Sequence, residues 1–281
     1  MSEDKPRPAD PTMSISSDQT VSDQHTKVGR SDEIRIHRKS TPTQLGKYEI
    51  KEELGKGGMG EVYRAYDSVL NRYVALKILY TDSPDAIRRF LEEARIQAGI
   101  EHENICKVYE AGQIEGKNFI AMQLIKGRTL VDASTNWSFT QKMEVMKTIT
   151  EALQTAHKKG LIHRDIKPSN IMIEQSESGE LKPYILDFGL ARGVETPGLT
   201  MTGMILGTPP YMAPEQVRSD RNRMDARTDV YALGATLYEV FYRQPIYDGT
   251  LGEVLAKILN DDPITIRNSD AIPEDLQTII A

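Results

Sequence analysis

Cysteine is nearly absent. Cys106 is the single one in 281 residues, which excludes an intrachain disulfide and any zinc site built from cysteines. No apolar run approaches the roughly 20 residues that span a bilayer, and the N-terminus lacks the basic-then-apolar order of a secretory leader. The chain is therefore expected to be soluble and cytoplasmic, without a membrane segment of its own; an anchor would have to lie in a portion beyond residue 281. Positive charge is scarce as well. The 35 Lys and Arg are outnumbered by 41 Asp and Glu, a formal net charge of −6, so nucleic acid is not an expected partner. No internal repeat is visible. What is present is an ordinary globular mixture, 39% hydrophobic and 27% charged, long enough for one large domain or two smaller ones around a real core.

Residues 1–47 stand apart. They are rich in Ser, Thr, Asp and Pro, with scattered single apolar residues and no helical or strand period. Such a segment buries too little to offset the entropy of ordering, so it is expected to be a disordered tail, with order beginning at Tyr48. From there "YEIKEEL", "EVYRAYD", "RYVALKIL", "CKVYEAG" and "FIAMQLI" are short β-rich runs between turn residues. One helix interrupts them, opened by Ser83 as cap, Pro84 and Asp85, with Ile87, Phe90, Leu91 and Ala94 as its apolar stripe. Glu93 faces inward beside that stripe and requires a cation. After "IKGRTL" the pattern turns helical. Ser138 and Gln141 form a capping-box pair before a long helix, and "TDVYALGATLYEVFY" is apolar on more than one face, as befits a helix inside a core. The fold class is α+β: a small β-rich lobe over about 48–124 and a larger helical lobe over about 125–281.

Several short stretches carry chemistry. "LGKGGMGEVYRAYD" has Gly55, Gly57 and Gly60 in a G-x-G-x-x-G pattern followed by Val62. The residues after the last glycine are β-branched and aromatic, so the glycines cap a hairpin, which disfavours a dinucleotide-binding fold; a Walker A loop is excluded because no Lys followed by Ser or Thr comes next. Such a hairpin lets main-chain N–H groups approach phosphate oxygens. Lys77 in "VALKIL" lies on a strand apolar on both faces and is the cation that Glu93 calls for. "LIHRDIKPSN" crowds His163, Arg164, Asp165, Lys167 and Asn170 together, a density that by itself describes only a solvated surface. "YILDFGL" adds Asp187 at the end of an apolar strand; with Asn170 it supplies the hard oxygen ligands that Mg²⁺ prefers. Asp165 is then placed to take a proton from a substrate hydroxyl, and Lys167 to neutralise a transferring phosphoryl group.

Taken in order, "GKGGMGEV", "VALK", "FLEEAR", "HRDIKPSN", "DFG" and "APE" resemble the Hanks-type Ser/Thr protein kinases, nearest the bacterial branch, from Tyr48 to about Ala281. The resemblance implies the two-lobed kinase fold and γ-phosphoryl transfer from ATP to protein Ser or Thr hydroxyls. It implies that Lys77 pairs with Glu93 and meets the α- and β-phosphates, that Asp165 is the catalytic base assisted by Lys167, and that Asn170 and Asp187 bind Mg²⁺. Gly55, Gly57, Gly60, Val62, Ala75, Lys77, Met122, Gln123, Leu124 and Met172 would surround ATP, with Met122 as gatekeeper and main-chain groups near Gln123 and Leu124 on the adenine. Arg164 would receive a phosphorylated Thr200 or Thr202, and Thr208 would shape the acceptor site. Autophosphorylation between two copies would bring a homodimer together.

Two departures from the family pattern matter. Family members continue through further helices, near which an Arg pairs with the Glu of "APE"; the last Arg here is Arg267, so Glu215 is expected to lack a partner and the domain to be incomplete at its C-terminus. The alternative to an active enzyme is therefore an ATP-binding pseudokinase or scaffold inactivated by truncation. Gln97 stands on the inner helix face where an apolar residue normally packs, an expected weak point between Glu93 and Phe188. The polar insert "EQSESGELKP" is expected to lengthen a hairpin.

Overall fold

The computed structural model describes residues 43–57, 60–81, 83–188, 209–260 and 273–280. Strands β1 (Gln44–Leu45), β2 (Tyr48–Gly57), β3 (Gly60–Asp67), β4 (Arg72–Leu79), β5 (Val108–Ile114) and β6 (Lys117–Gln123) form one antiparallel sheet in the order β1-β2-β3-β4-β6-β5. All five expected runs are strands. Ordered structure starts earlier than the expected Tyr48: β1 pairs with β2, Leu45 is fully buried, and Lys47 lies 2.6 Å from Glu110. A two-residue strand carries no periodicity, so no pattern announced it.

Strand β4 shows why "VALKIL" is apolar throughout. Val74, Leu76 and Ile78 pack with Tyr63 and Phe119 on one face, while Ala75 and Leu79 meet Phe90 and Met122 on the other. Alternation puts Lys77 on the second face, toward helix α1 (Pro84–Ala98). Helix α1 begins as its sequence predicts, with Ser83 Oγ accepting from the Ala86 amide and Pro84 in the first turn. Gly60 pairs with Leu79, and a Cβ there would sit 2.0 Å from the Ile78 carbonyl oxygen, so only glycine lets β3 lie this close to β4.

A second sheet, β7 (Arg128–Thr129), β8 (Ile171–Gln175) and β9 (Leu181–Ile185), lies among helices α2 (Leu130–Ala133), α3 (Phe139–Lys158), α4 (Pro214–Val217), α5 (Ala226–Tyr242), α6 (Leu251–Leu259) and α7 (Glu274–Ile280). The β8–β9 hairpin accommodates the polar insert. Helix α3 opens with the expected reciprocal cap: the Gln141 amide donates to Ser138 Oγ, and the Ser138 amide donates to Gln141 Oε1. The larger core joins α3, α5, β8 and β9 through Ile149, Leu153, Ile171, Ile185 and Ala232. The sheets are tied where the Cys106 amide donates to Ile185 O at 2.9 Å and the Ile185 amide to Asn104 O at 2.8 Å. Among the described residues no helix is long and apolar enough to cross a membrane.

Candidate active site

The loop between α3 and β8 carries the densest chemistry, and one buried carboxylate shapes it. Asp229, in the first turn of α5, is fully buried. Its Oδ2 accepts the His163 amide and His157 Nε2, each at 2.7 Å, and its Oδ1 accepts the Arg164 amide at 2.7 Å. Burial pushes the Asp229 carboxyl upward, but the hydrogen bonds from His157, His163 and Arg164 outweigh it and hold the group below the ordinary carboxylate range. The same bonds support the positive φ of Arg164, +63°. His163 is fully buried, donates from Nε2 to Leu186 O at 2.7 Å and accepts the Asp165 amide at Nδ1, 3.1 Å away. Its burial lowers its pKa, which suits a neutral ring packed 4.7 Å from that of Phe188.

With the loop fixed, its functional side chains converge. Asn170 Nδ2 donates to Asp165 O at 2.7 Å and to Asp165 Oδ2 at 2.9 Å, and Lys167 Nζ lies 3.0 Å from the same Oδ2. The Leu186 amide donates to Asn170 O at 2.9 Å, so the strand end bearing Asp187 is tied to this loop. Asp187 has φ +49°, and its Oδ2 is 2.9 Å from Lys77 Nζ. Lys77, Asp165, Lys167, Asn170 and Asp187 thus form one continuous constellation. Among the described residues the other Asp187 oxygen is buried without a hydrogen-bond partner, as an oxygen held for a cation would be.

The Lys77–Glu93 pair is not formed. Among the described residues Lys77 pairs with Asp187, and Glu93 pairs with Arg164 at 3.9 Å, while Glu93 Oε2 is buried without a hydrogen-bond partner. Burial raises the Glu93 carboxyl to about 7, against the pull of Arg164, Arg89 and Lys77. With the ammonium on the more exposed Asp187, burial is left as the larger influence on Glu93.

The residues expected around a nucleotide fall on neighbouring strands. Gly57 pairs with Gly60, Val62 with Lys77, and Ala75 with Met122; Gly55 pairs with Val62, and Met172 is half-buried on β8. The Gln123 amide donates to Lys107 O at 2.8 Å and the Gln123 carbonyl accepts from Cys106 Sγ, so the main chain of Gln123 is engaged internally. Thr200, Thr202 and Thr208 lie outside the described residues.

Glu215 does have a partner, contrary to expectation. Thr228 Oγ1 donates to its Oε1 at 2.6 Å, and the half-buried carboxylate lines a cleft of about 430 Å³ with Arg218, Arg223 and Arg227. Gln97 is half satisfied: it is buried and its Nε2 donates to Cys106 O at 2.9 Å, while among the described residues its Oε1 is buried without a hydrogen-bond partner. Sequence reasoning missed Asp229, His157 and Gln216, whose Nε2 donates to Arg164 O at 2.9 Å. For Asp229 a signal existed, a carboxylate inside a helix apolar on several faces.

A family described as "protein kinase domain" matches residues 48–279. The chain is 36% identical over 245 residues to serine/threonine-protein kinase PknJ of Mycobacterium tuberculosis, covering 84% of this chain and 41% of that protein. It is 37% identical over 256 residues to PknB of the same organism, covering 86% of this chain and 40% of that protein. The chain thus spans about two fifths of the length of these curated relatives. Its fold is similar to a crystal structure of a single-substitution variant of the M. tuberculosis PknI kinase domain, with TM-score 0.56 and 27% identity over 73% of this chain and 78% of that one.

Proposed function

The chain belongs to the protein kinase family, and from that membership we propose that it transfers the γ-phosphoryl group of ATP to Ser or Thr hydroxyls of proteins. The observation that carries this is the convergence of Lys77, Asp165, Lys167, Asn170 and Asp187, drawn from three separated segments, through contacts of 2.7–3.0 Å. Asp165 orients the acceptor hydroxyl and takes its proton as the oxygen attacks phosphorus; the bond from phosphorus to the bridging oxygen of ADP breaks, and ADP leaves. Lys167 offsets negative charge on the group in transit. Lys77 is held ready for the phosphates, at present against Asp187. Asn170 and Asp187 would hold Mg²⁺, which supplies charge neutralisation on the phosphate oxygens when bound.

Arg164 has two roles in this proposal. It faces Glu93 in the structure, and a phosphate on Thr200 or Thr202 would add roughly 1.5–2 negative charges able to draw it away. Autophosphorylation between copies would supply that phosphate, and a cytoplasmic location with ATP at hand suits the single buried cysteine. Phosphate incorporation into a generic Ser/Thr protein at saturating Mg-ATP tests the proposal. Lys77→Met and Asp187→Asn should each abolish transfer; near-normal transfer by either would remove it.

A further inference from the structure

Glu61 sits at the base of the glycine hairpin and takes three donors on one carboxylate. Lys56 Nζ lies 2.5 Å from Oε1, Tyr80 Oη donates to Oε2 at 2.8 Å, and Tyr63 Oη donates to Oε2 as well. These donors come from both strands of the hairpin and from the residue just past β4. Lys56 is the direct cross-strand neighbour of Glu61, one residue from the Gly57–Gly60 pair. Tyr63 is 1% exposed, so its hydroxyl needs an acceptor, and the Glu61 side chain is itself largely covered. An ordinary exposed Lys–Glu pair would contribute little; a carboxylate shared with a buried tyrosine and a second strand is a different object.

The face matters. Glu61 pairs with Ile78 and Tyr63 with Leu76, whereas the intervening Val62 pairs with Lys77. Side chains alternate along a strand, so Glu61 points away from the face that carries Lys77. It cannot touch a nucleotide there.

We propose that Glu61 is a positioning residue: by joining Lys56, Tyr63 and Tyr80 it fixes where the glycine-bearing ends of β2 and β3 stand over the nucleotide phosphates. This rests on the nucleotide-binding reading of the site. The hydrogen bonds keep Glu61 ionised, holding its carboxyl at about 2, so the clamp persists across the working pH range.

Calorimetric titration with Mg-ADP and with adenosine separates phosphate positioning from base binding. Glu61→Ala should weaken ADP by about fivefold, the scale of one net hydrogen bond, and leave adenosine unchanged. Glu61→Gln, which keeps an acceptor for the tyrosines, should recover most of the loss. Lys56→Met combined with Tyr80→Phe changes two exposed side chains and should reproduce the selective loss even if Glu61→Ala fails to fold. Equal losses for ADP and adenosine, or no loss of ADP affinity in the variants, would overturn the clamp alone. A parent chain that binds adenosine but not ADP, or binds neither, would overturn the nucleotide reading and the clamp with it.

Discussion

Asp229→Asn is the sharpest test of how the fold makes the site. The native carboxylate receives three donors, the amides of His163 and Arg164 and the ring of His157, all at 2.7 Å. Asparagine keeps one oxygen. If that oxygen stays with the Arg164 amide, the new NH₂ group faces the His163 amide and His157, donor against donor. His157 can change tautomer and accept from it, but the His163 amide cannot, so one buried amide is stranded. Hydrogen bonds to charged groups contribute about 1.5–3 kcal/mol, and an orphaned donor costs about 1–3 more, so the substitution should destabilise by about 3 kcal/mol. Alanine, which removes the acceptor from all three donors, should destabilise more than asparagine does. Against a typical stability of about 5–15 kcal/mol either loss is large. Urea unfolding followed by far-UV circular dichroism would measure it. The pH dependence has a definite sign: with the folded pKa depressed, the contribution of Asp229 is complete above the unfolded carboxylate value of about 4 and is lost as pH falls below it. The gap between parent and Asn variant should therefore narrow in acid. In a folded sample kcat should also fall, because Arg164 at φ +63° and Asp165 beside it lose their support. A variant within about 0.5 kcal/mol of the parent at pH 7, less than one hydrogen bond, would refute the reasoning.

Glu93→Gln should show the opposite pH behaviour. Because burial keeps Glu93 protonated up to about 7, the parent loses stability as pH rises from about 4.5 to 7, and the glutamine variant should be about 2–3 kcal/mol more stable at pH 8 but not at pH 4.5; an equal difference at both pH values in urea melts would count against it. Leu45→Ala should cost about 2 kcal/mol, the low end for a buried leucine because a two-residue edge strand can collapse; the midpoint shift in urea unfolding measures it. A chain beginning at Tyr48 should melt several degrees below one beginning at residue 42, since it also loses Lys47 from Glu110; coincident melts would place the domain start back at Tyr48. Thr228→Val should cost about 1–2 kcal/mol by stranding Glu215, with Thr228→Ser restoring it, and thermal denaturation of the three proteins would decide.

Local chemistry was legible where a residue type answers to its own neighbours in sequence. Ser83, Pro84, Ser138 and Gln141 announced helix starts because capping is settled within four residues. The apolar run around Lys77 announced a strand covered on both faces, and the order of motifs from Gly55 to Glu215 announced the family. The ion pairs were a different matter. Which carboxylate holds Lys77, Asp187 or Glu93, depends on how deeply each is buried, and burial belongs to the assembled lobes. Thr228 beside Glu215, Gln97 on the Cys106 carbonyl and Asp229 beneath the His163 and Arg164 amides join positions 9 to 66 residues apart. The order of amino acids settled which side chains were available and which local elements would carry them. Their partners were settled in three dimensions, because electrostatic and hydrogen-bond energies depend on distance and desolvation in space, and neither can be read from separation along the chain.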